Sequence, residues 1–176
     1  MDFIHDRLTS GKAFRIFNIL DLFSRRAFKP ILDFSLPGAR IAEHFESLCQ
    51  EFGPPEILRR DDGPEFRSRE FQKVLRKWRI REEVIPPGQP YDNGHMESFQ
   101  GTMREEVLDR EEFDTLEEAK SRIANWIEEY NQKRPHSALN YRTPMEIWKE
   151  NEGGLPGGVQ KKGQVGSVHP TVEIVK

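Results

Sequence analysis

The spacing of hydrophobic residues changes at Ala39, and this change constrains the fold more than any other feature. Before it, residues 2–8, 13–22 and 25–35 show the alternating or continuous apolar patterns that are typical of β-strands. After it, apolar residues recur at helical spacing as far as Gly53, where a helix is expected to end. The first third of the chain therefore predicts an antiparallel three-stranded meander followed by a helix.

The middle of the chain alternates between the two patterns. Residues 56–60 and 80–85 are predicted as short strands, and a helix is predicted from Ser68 between them. Two further helices are expected at about residues 93–108 and 116–131. Strands that alternate with helices usually join a sheet in parallel. The sequence thus predicts an α/β fold with a mixed sheet, three antiparallel strands plus parallel strands, flanked by helices.

Length and composition favour a single domain in a cytoplasmic protein. The chain has 176 residues and one cysteine, which excludes an internal disulfide and a cysteine-type zinc site. No apolar run approaches the ~20 residues that a membrane span needs, and no signal-peptide pattern opens the chain. Residues 1–148 are predicted to form the core, and residues 149–176 a flexible Gly-rich tail in which residues 171–176 could add a strand.

The charges are distributed unevenly along the chain. The net charge of −3 argues mildly against a nucleic-acid-binding protein. However, residues 59–81 contain nine Lys and Arg against four Asp and Glu, whereas residues 105–118 contain eight acids and one Arg. A basic stripe beside an acidic site suits a metal-dependent enzyme that acts on phosphodiesters. The alternative interpretation, without a functional role, is that these charges lie on solvated helix faces, and it accounts for part of the same pattern.

Three acidic residues on separate elements are the candidate catalytic and metal-binding residues. Asp2 opens the first strand, Asp61 follows a strand, and Glu97 lies in a predicted helix. Carboxylates are the ligands that Mg²⁺ prefers, and a pair of Mg²⁺ or Mn²⁺ ions can promote phosphoryl transfer. Asn93 and Arg104 lie within about 40° of Glu97 on one helix face, so both are candidate DNA-binding residues. Taken singly, each of these residues would be an ordinary turn or solvated helix position.

Neighbouring polar residues leave alternatives open. Asp62, rather than Asp61, could be the second ligand, although the spacing to Glu97 favours Asp61. His5 faces the opposite side of its strand from Asp2, and Asp6 shares the side of Asp2 but lies about 13 Å further along. Neither is a good third ligand.

Three stretches of the chain carry a resemblance to a known family. They are DDGPEFRSREF, IREEVIPPGQPYDNGHMESFQGTMREEVL and YNQKRPHSALNYRTPMEIW. They resemble the integrase-type catalytic core of bacterial insertion-sequence transposases, in particular the second-frame product of elements that make transposase from two overlapping frames. Retroviral integrases share the fold and the three-carboxylate arrangement. The resemblance covers residues 1–148 and implies a ribonuclease H-like fold.

The resemblance also implies a function and a set of roles. Asp2, Asp61 and Glu97 match the family's metal-binding acids, and Arg104 matches the basic residue seven positions after the glutamate. The implied activity is metal-dependent DNA strand cleavage and strand transfer on element ends and target DNA, at the bacterial nucleoid. The implied assembly is a homo-oligomer or a complex with an upstream helix-turn-helix frame product. The tract Arg134 to Ser137 matches a family signature for which only a structural role, a loop docked on the core, could be argued.

Departures from the family pattern keep other functions in view. Asp62 stands where the family has Asn, and Gln100 also replaces the usual Asn. Only Met1 precedes Asp2, whereas the family's first strand starts several residues earlier after a helical DNA-binding segment. The resemblance therefore implies a truncated frame, a decayed element or one product of a split gene. The competing functions are a ribonuclease H-like nuclease that only hydrolyses, and an inactive remnant that binds DNA or full-length transposase.

Overall fold

The structure is a computed structural model that describes residues 1–85, 94–151 and 173–174. Its strands are β1 (Asp2–Arg7), β2 (Ala13–Asn18), β3 (Ile31–Asp33), β4 (Ile57–Arg60), β5 (Arg81–Val84) and β6 (Glu173–Ile174). Its α-helices are α1 (Gly38–Phe52), α2 (Arg69–Trp78), α3 (Gly94–Met103), α4 (Leu116–Gln132) and α5 (Pro144–Asn151). A π-helical segment, Arg104–Leu108, continues α3. No helix in these ranges is long and apolar enough to cross a membrane.

The strands form an antiparallel group and a parallel group that meet at β1 and β4. The order β1-β2-β3 is antiparallel, and β5 and β6 both pair with β4 in parallel. The amino nitrogen of Met1 donates to the carbonyl oxygen of Arg59 at 3.5 Å, so the start of β1 lies beside the end of β4. These are the three antiparallel and additional parallel strands that the sequence predicts, and the α/β fold class is confirmed.

A tight turn joins β1 to β2 and sets their register. The backbone N–H of Leu8 donates to Lys12, and that of Gly11 donates back to Leu8. Gly11 has a φ of 80°, a left-handed conformation that glycine adopts without strain. The turn pairs Asp2 with Asn18 at one end of the hairpin and Arg7 with Ala13 at the other.

Two hydrophobic clusters cover opposite faces of the strands. Ile4, Phe14 and Ile16 pack with residues of α3, the π-helical segment and α4 in the first cluster. Met1 and Phe17 pack with residues of α1, β4 and α2 in the second. Because successive side chains of a strand point to opposite faces, even-numbered residues of β1 face α3 and odd-numbered ones face α1 and α2. Asp2 therefore lies on the α3 side.

The prediction of a strand over residues 25–35 is wrong in its extent, because β3 covers only Ile31–Asp33. Upstream of it, an isolated bridge joins Leu20 to Ala27, and Arg25 adopts a left-handed φ of 62°. The ring of Phe28 packs edge-on against Trp148 with centroids 5.6 Å apart. This contact with α5 holds the segment in an irregular path, and Pro30 has no N–H to give a ladder.

The helices agree with the sequence more closely. The predicted helix 116–131 corresponds to α4, and the hydroxyl of its N-cap Thr115 accepts the N–H of Glu118 at 3.1 Å. The predicted helix 93–108 is α-helical only to Met103, after which the backbone widens to a π-helix. Asn93 and most of the predicted tail lie outside the described residues. Of the strand predicted at 171–176, residues 173–174 pair with Ile57 and Leu58.

Candidate metal centre

Asp2 lies at the start of β1, on the side of the sheet that α3 covers. Its carboxylate Oδ1 accepts the backbone N–H of Phe3 at 2.7 Å. The side-chain amide of Gln100 on α3 favours the charged form of Asp2. Its Nε2 is nevertheless buried without a hydrogen-bond partner among the described residues. Gln100 is therefore an amide donor beside the Asp2 carboxylate with hydrogen-bonding capacity to spare.

Asp61 follows β4 directly and is held by its neighbours in sequence. The buried guanidinium of Arg60 donates through Nη1 to the carbonyl oxygen of Asp61 at 2.7 Å, and its Nε donates to Glu82 on β5 at 2.6 Å. The carboxylate Oδ1 of Asp61 accepts the N–H of Gly63 at 3.0 Å. A Cβ at Gly63 would lie only 3.0 Å from the same oxygen, so glycine allows the chain to turn closely around the carboxylate.

The residues after Gly63 tie this loop to the antiparallel strands. Glu65 forms a salt bridge with Arg15 of β2 at 2.6 Å. Phe66 is fully buried, and its ring centroid lies 5.8 Å from that of Phe3 and 6.0 Å from that of Phe17. Burying a phenylalanine side chain contributes about 1.5–3 kcal/mol. The loop that carries Asp61 is thus fixed to β1 and β2 as well as to β4.

The structure brings Asp2 and Asp61 together. Burial raises the pKa of Asp2, and the negative charge of Asp61 raises it further, whereas the Phe3 N–H acts in the opposite direction. Two carboxylates that repel one another at the adjacent ends of β1 and β4 form a site whose charge a divalent cation would offset.

Asp62 points elsewhere. Its side chain is 51% exposed and pairs with Arg60 at 3.9 Å and with Arg67 at 3.7 Å. Asp6 accepts the N–H of Arg7 at 2.8 Å and pairs with Phe14 at the far end of the hairpin. Asp61, rather than Asp62, thus acts on Asp2, and the assignment of Asp61 as a metal ligand stays a prediction.

Glu97 is exposed in the first turn of α3. Gln100 and Arg104 lie three and seven residues further on, and therefore on the same side of the helix as Glu97. Gln100 acts on Asp2, and Nη2 of Arg104 donates to the carbonyl oxygen of His5 on β1 at 3.2 Å. The face of α3 that carries Glu97 is thus turned toward β1. Arg104 also pairs with Asp109 at 3.6 Å, so part of its guanidinium is already engaged.

The three carboxylates do not form a closed cluster. Among the described residues, no group of three His, Cys, Asp or Glu side chains lies close enough to hold a metal ion. The ligand chemistry nevertheless fits Mg²⁺, since the carboxylates of Asp2 and Asp61 lie at adjacent strand ends and Glu97 is on the helix face turned toward them.

Comparison with known proteins identifies the family to which the chain belongs. Profiles described as "integrase core domain" match residues 1–90 and residues 78–144. The chain belongs to the integrase core domain family. A protein of insertion element IS407 from Burkholderia multivorans is 35% identical over 147 residues, covering 84% of the chain and 53% of the relative. The transposase of insertion element IS904 from Lactococcus lactis is 32% identical over 135 residues, with 75% and 53% covered. This integrase core spans about half the length of both relatives.

A solved structure has the same fold. The catalytic core domain of HTLV-2 integrase, determined in complex with magnesium, superposes with a TM-score of 0.63 at 20% identity, covering 83% of the chain and 91% of that core. The predicted ribonuclease H-like fold is therefore confirmed for this integrase core.

Several residues that build the centre were missed in the sequence. Arg60 is buried and positions Asp61, although basic residues near a predicted DNA-binding site are more readily interpreted as phosphate contacts. Gln100 acts on Asp2, and Glu65 fixes the loop through Arg15. The one available signal was that Glu65 and Phe66 lie four and five positions after Asp61 in a short motif. Their partners on β1 and β2 lie at least 49 positions away and could not be identified from the sequence.

Proposed function

We propose that this integrase core is a metal-dependent polynucleotidyl transferase that cleaves DNA strands and joins them to new sites during transposition. Asp2, Asp61 and Glu97 are the proposed catalytic and metal-binding residues. The observation that carries the proposal is that Asp2 and Asp61 lie at the adjacent ends of β1 and β4, which the contact between Met1 and Arg59 brings together. The face of α3 that bears Glu97 is turned toward the same strand.

In this reaction the oxygen of water or of a DNA 3′-hydroxyl forms a bond to phosphorus. The bond from phosphorus to the leaving oxygen breaks, the nucleophile loses its proton, and the leaving oxygen gains one. Two Mg²⁺ or Mn²⁺ ions, when bound by the three carboxylates, would polarise the phosphate and favour the nucleophile. Gly63 and Arg60 hold Asp61 in place, and Gln100 favours the ionised form of Asp2 that cation binding requires.

The proposed substrates are the ends of an insertion element and its target DNA, which places the reaction at the bacterial nucleoid. Arg104 and Asn93 are proposed to contact DNA phosphates rather than to read bases. Exposure of 45% leaves Arg104 accessible for such a contact. We also propose that the active form is an oligomer or an assembly with an upstream helix-turn-helix frame product, because two element ends must be held together.

A strand-transfer assay tests the proposal. Purified protein is incubated with Mg²⁺ or Mn²⁺ and labelled donor-end oligonucleotides, with and without the helix-turn-helix product. Joined products are expected with the wild type and should be absent with Glu97→Gln. Glu105→Gln is the matched control, because Glu105 is exposed further along the same helical stretch and contributes nothing to the centre through its side chain. Equal activity of the two variants would refute the role of Glu97, and nicking without joining would indicate a hydrolytic nuclease.

A second function is favoured by the open arrangement of the carboxylates. If Glu97 does not close onto Asp2 and Asp61, the chain is an inactive relative that binds DNA or full-length transposase. The absence of a three-residue metal cluster within the described ranges favours this alternative. Retained DNA binding with no cleavage in either metal, and inhibition of an active transposase when the two are mixed, would establish it.

A further inference from the structure

A polar cleft lies between α3, α4 and the loop that follows α4. Its volume is about 290 Å³, which is at the lower end of the range for small-molecule sites. The residues that matter to the argument are Arg25, His95, Ser98, Tyr130, Arg134 and His136. The family signature around Arg134, for which the sequence suggested only a docked loop, therefore lines one wall. The activity proposed above makes no use of this cleft.

The walls of the cleft are held in place by packing and hydrogen bonds. The ring of Tyr130 packs edge-on against Phe99 and His136, with centroids 5.1 and 4.9 Å away. The backbone N–H of His136 donates to the carbonyl oxygen of Arg142 at 3.0 Å. The guanidinium of Arg134 is paired with Glu106. The cleft is thus a formed feature of the fold, and Arg134 is held at its edge.

Two side-chain nitrogen atoms of residues that line the cleft are buried without a hydrogen-bond partner among the described residues. They are Nη1 of Arg25 and Nε2 of His136. Buried polar groups are almost always satisfied, and a charged guanidinium most of all. Arg25 is also held in a left-handed backbone conformation with a φ of 62°, which only a few per cent of non-glycine residues adopt. An unpartnered N–H group of a cationic side chain at such a position indicates a missing acceptor for that group.

The charge of the cleft identifies the acceptor as an anion. Two Arg and two His line the cleft, and no Asp or Glu is among its lining residues, in a protein with 30 acidic residues. Burial lowers the pKa of His95 and of His136, and Arg25 lowers both further. Asp21 acts on Arg25 electrostatically but does not line the cleft. A lowered pKa favours the neutral form of both imidazoles, and Arg134 is paired with Glu106, so the net positive charge of the site is that of Arg25. This guanidinium, together with the imidazole N–H groups and hydroxyl groups such as that of Ser98, suits an oxyanion.

The cleft is separate from the carboxylate centre. His95, Ser98 and Thr102 line it from α3, whereas Glu97, Gln100 and Arg104 face β1. At 100° per residue the two sets lie roughly 160° apart around the helix. A group bound in the cleft is therefore not the phosphate that reacts.

We propose that this cleft binds a phosphodiester group of the DNA backbone at a position distinct from the reacting phosphate. Nη1 of Arg25 and Nε2 of His136 donate hydrogen bonds to the phosphate oxygens, and the hydroxyl of Ser98 orients the ligand. The volume accommodates a phosphate together with an adjoining sugar. The identification of DNA as the source of the phosphodiester rests on the proposed function, whereas the affinity of the cleft for an oxyanion does not.

The smallest phosphodiester, dimethyl phosphate, tests the cleft without any nucleic acid. NMR titration of the full chain should shift the side-chain signals of Arg25, His95 and His136. Arg25→Gln should weaken binding by roughly tenfold or more, because a charge-assisted hydrogen bond is lost. Ser98→Asp should do the same by repulsion at an exposed position where the fold is not at risk. Arg122→Gln is the matched control, since Arg122 is 57% exposed, pairs with Glu111 and lies outside the cleft.

Competition then identifies the source of the phosphodiester. Displacement of dimethyl phosphate by a short DNA duplex supports the proposal, whereas displacement by inorganic phosphate and not by duplex would overturn it. The salt dependence of duplex binding gives a second measure, since Arg25→Gln should reduce its slope by about 0.9 more than Arg122→Gln. Equal slopes, or no response of the cleft to dimethyl phosphate, would also overturn it. Failure of the proposed function is distinguishable, because strand transfer would then be absent while the dimethyl phosphate result stands.

Discussion

Replacement of Gly38 by alanine should destabilise the protein and disturb the metal centre at once. A Cβ at Gly38 would lie 2.3 Å from Oγ and 2.4 Å from Cβ of Ser68, and 2.7 Å from the backbone oxygen of Glu65. Non-bonded carbon atoms prefer separations of about 3.5–4.0 Å, so the start of α1 must move away from the start of α2 by about 1 Å. Overpacking of this kind costs about 1–3 kcal/mol. Gly38 opens α1, so improved helix propensity offsets little of this cost.

The expected loss is therefore about 2 kcal/mol, which corresponds to a fall of about 4–8 °C in Tm for a chain of this size. Urea unfolding followed by far-ultraviolet circular dichroism measures it. Gly101→Ala is the matched control: a Cβ there meets nothing within 4 Å, so the substitution should stabilise α3 by about 0.5–1 kcal/mol. Because Glu65 and Ser68 end the loop that carries Asp61, Gly38→Ala should also lower DNA cleavage. An unchanged or higher unfolding midpoint for Gly38→Ala would show that the packing argument is wrong.

Three further predictions concern buried charged or ionisable groups. Burial, and then the charge of Asp61, raises the pKa of Asp2 above its ordinary value of 3.8. Protonated Asp2 therefore contributes its full stabilisation of the fold below pH 3.8, and this contribution is lost as pH rises through the pKa of Asp2 in the folded protein. Asp2→Asn should accordingly raise the Tm at pH 7 in the presence of a chelator, and it should abolish any increase in Tm that Mg²⁺ causes. A lower Tm of the variant in chelator, measured by calorimetry, would contradict this. Arg60→Met should cost about 1–3 kcal/mol in urea unfolding, because Glu82, which is 24% exposed, then keeps only the Gln72 amide as a partner. The double change to methionine at both positions should regain much of this loss, and an additive loss would count against a coupled pair. Burial raises the pKa of Cys49 to about 12, so iodoacetamide should label it at pH 8 only after unfolding, and labelling of the folded protein detected by mass spectrometry would exclude the buried position.

The sequence predicted the elements better than their ends. Periodicity located α1 and α4 because each helix buries one continuous stripe, and the capping residue Thr115 marks the start of α4. The same reasoning overextended the third strand, because the contact of Phe28 with Trp148 joins positions 120 apart and leaves no local signal. The change from α to π at Arg104 was equally invisible.

Within the site, the sequence predicted the positions of acids but not their supports. Asp61 was expected at the end of a strand, and its preference over Asp62 follows in the structure from the pairing of Asp62 with Arg67. That Arg60 is a buried support could not be foreseen, because its partner Glu82 lies on another strand. Arg25 was expected to open the third strand, and only the structure shows that its Nη1 lacks a hydrogen-bond partner.

The turn between β1 and β2 has a consequence for how this protein can vary. Side chains alternate along β1, so sliding that strand by a single residue against β2 would move Asp2 to the side covered by α1 and α2 and bring a phenylalanine to the α3 side. The length of the short loop around Gly11 therefore sets the register of the hairpin, and with it the side of the sheet on which Asp2 lies. Exchanges of residue type in that loop are tolerable wherever the left-handed position keeps a glycine, but an insertion or deletion of one residue there is equivalent to removing the first carboxylate.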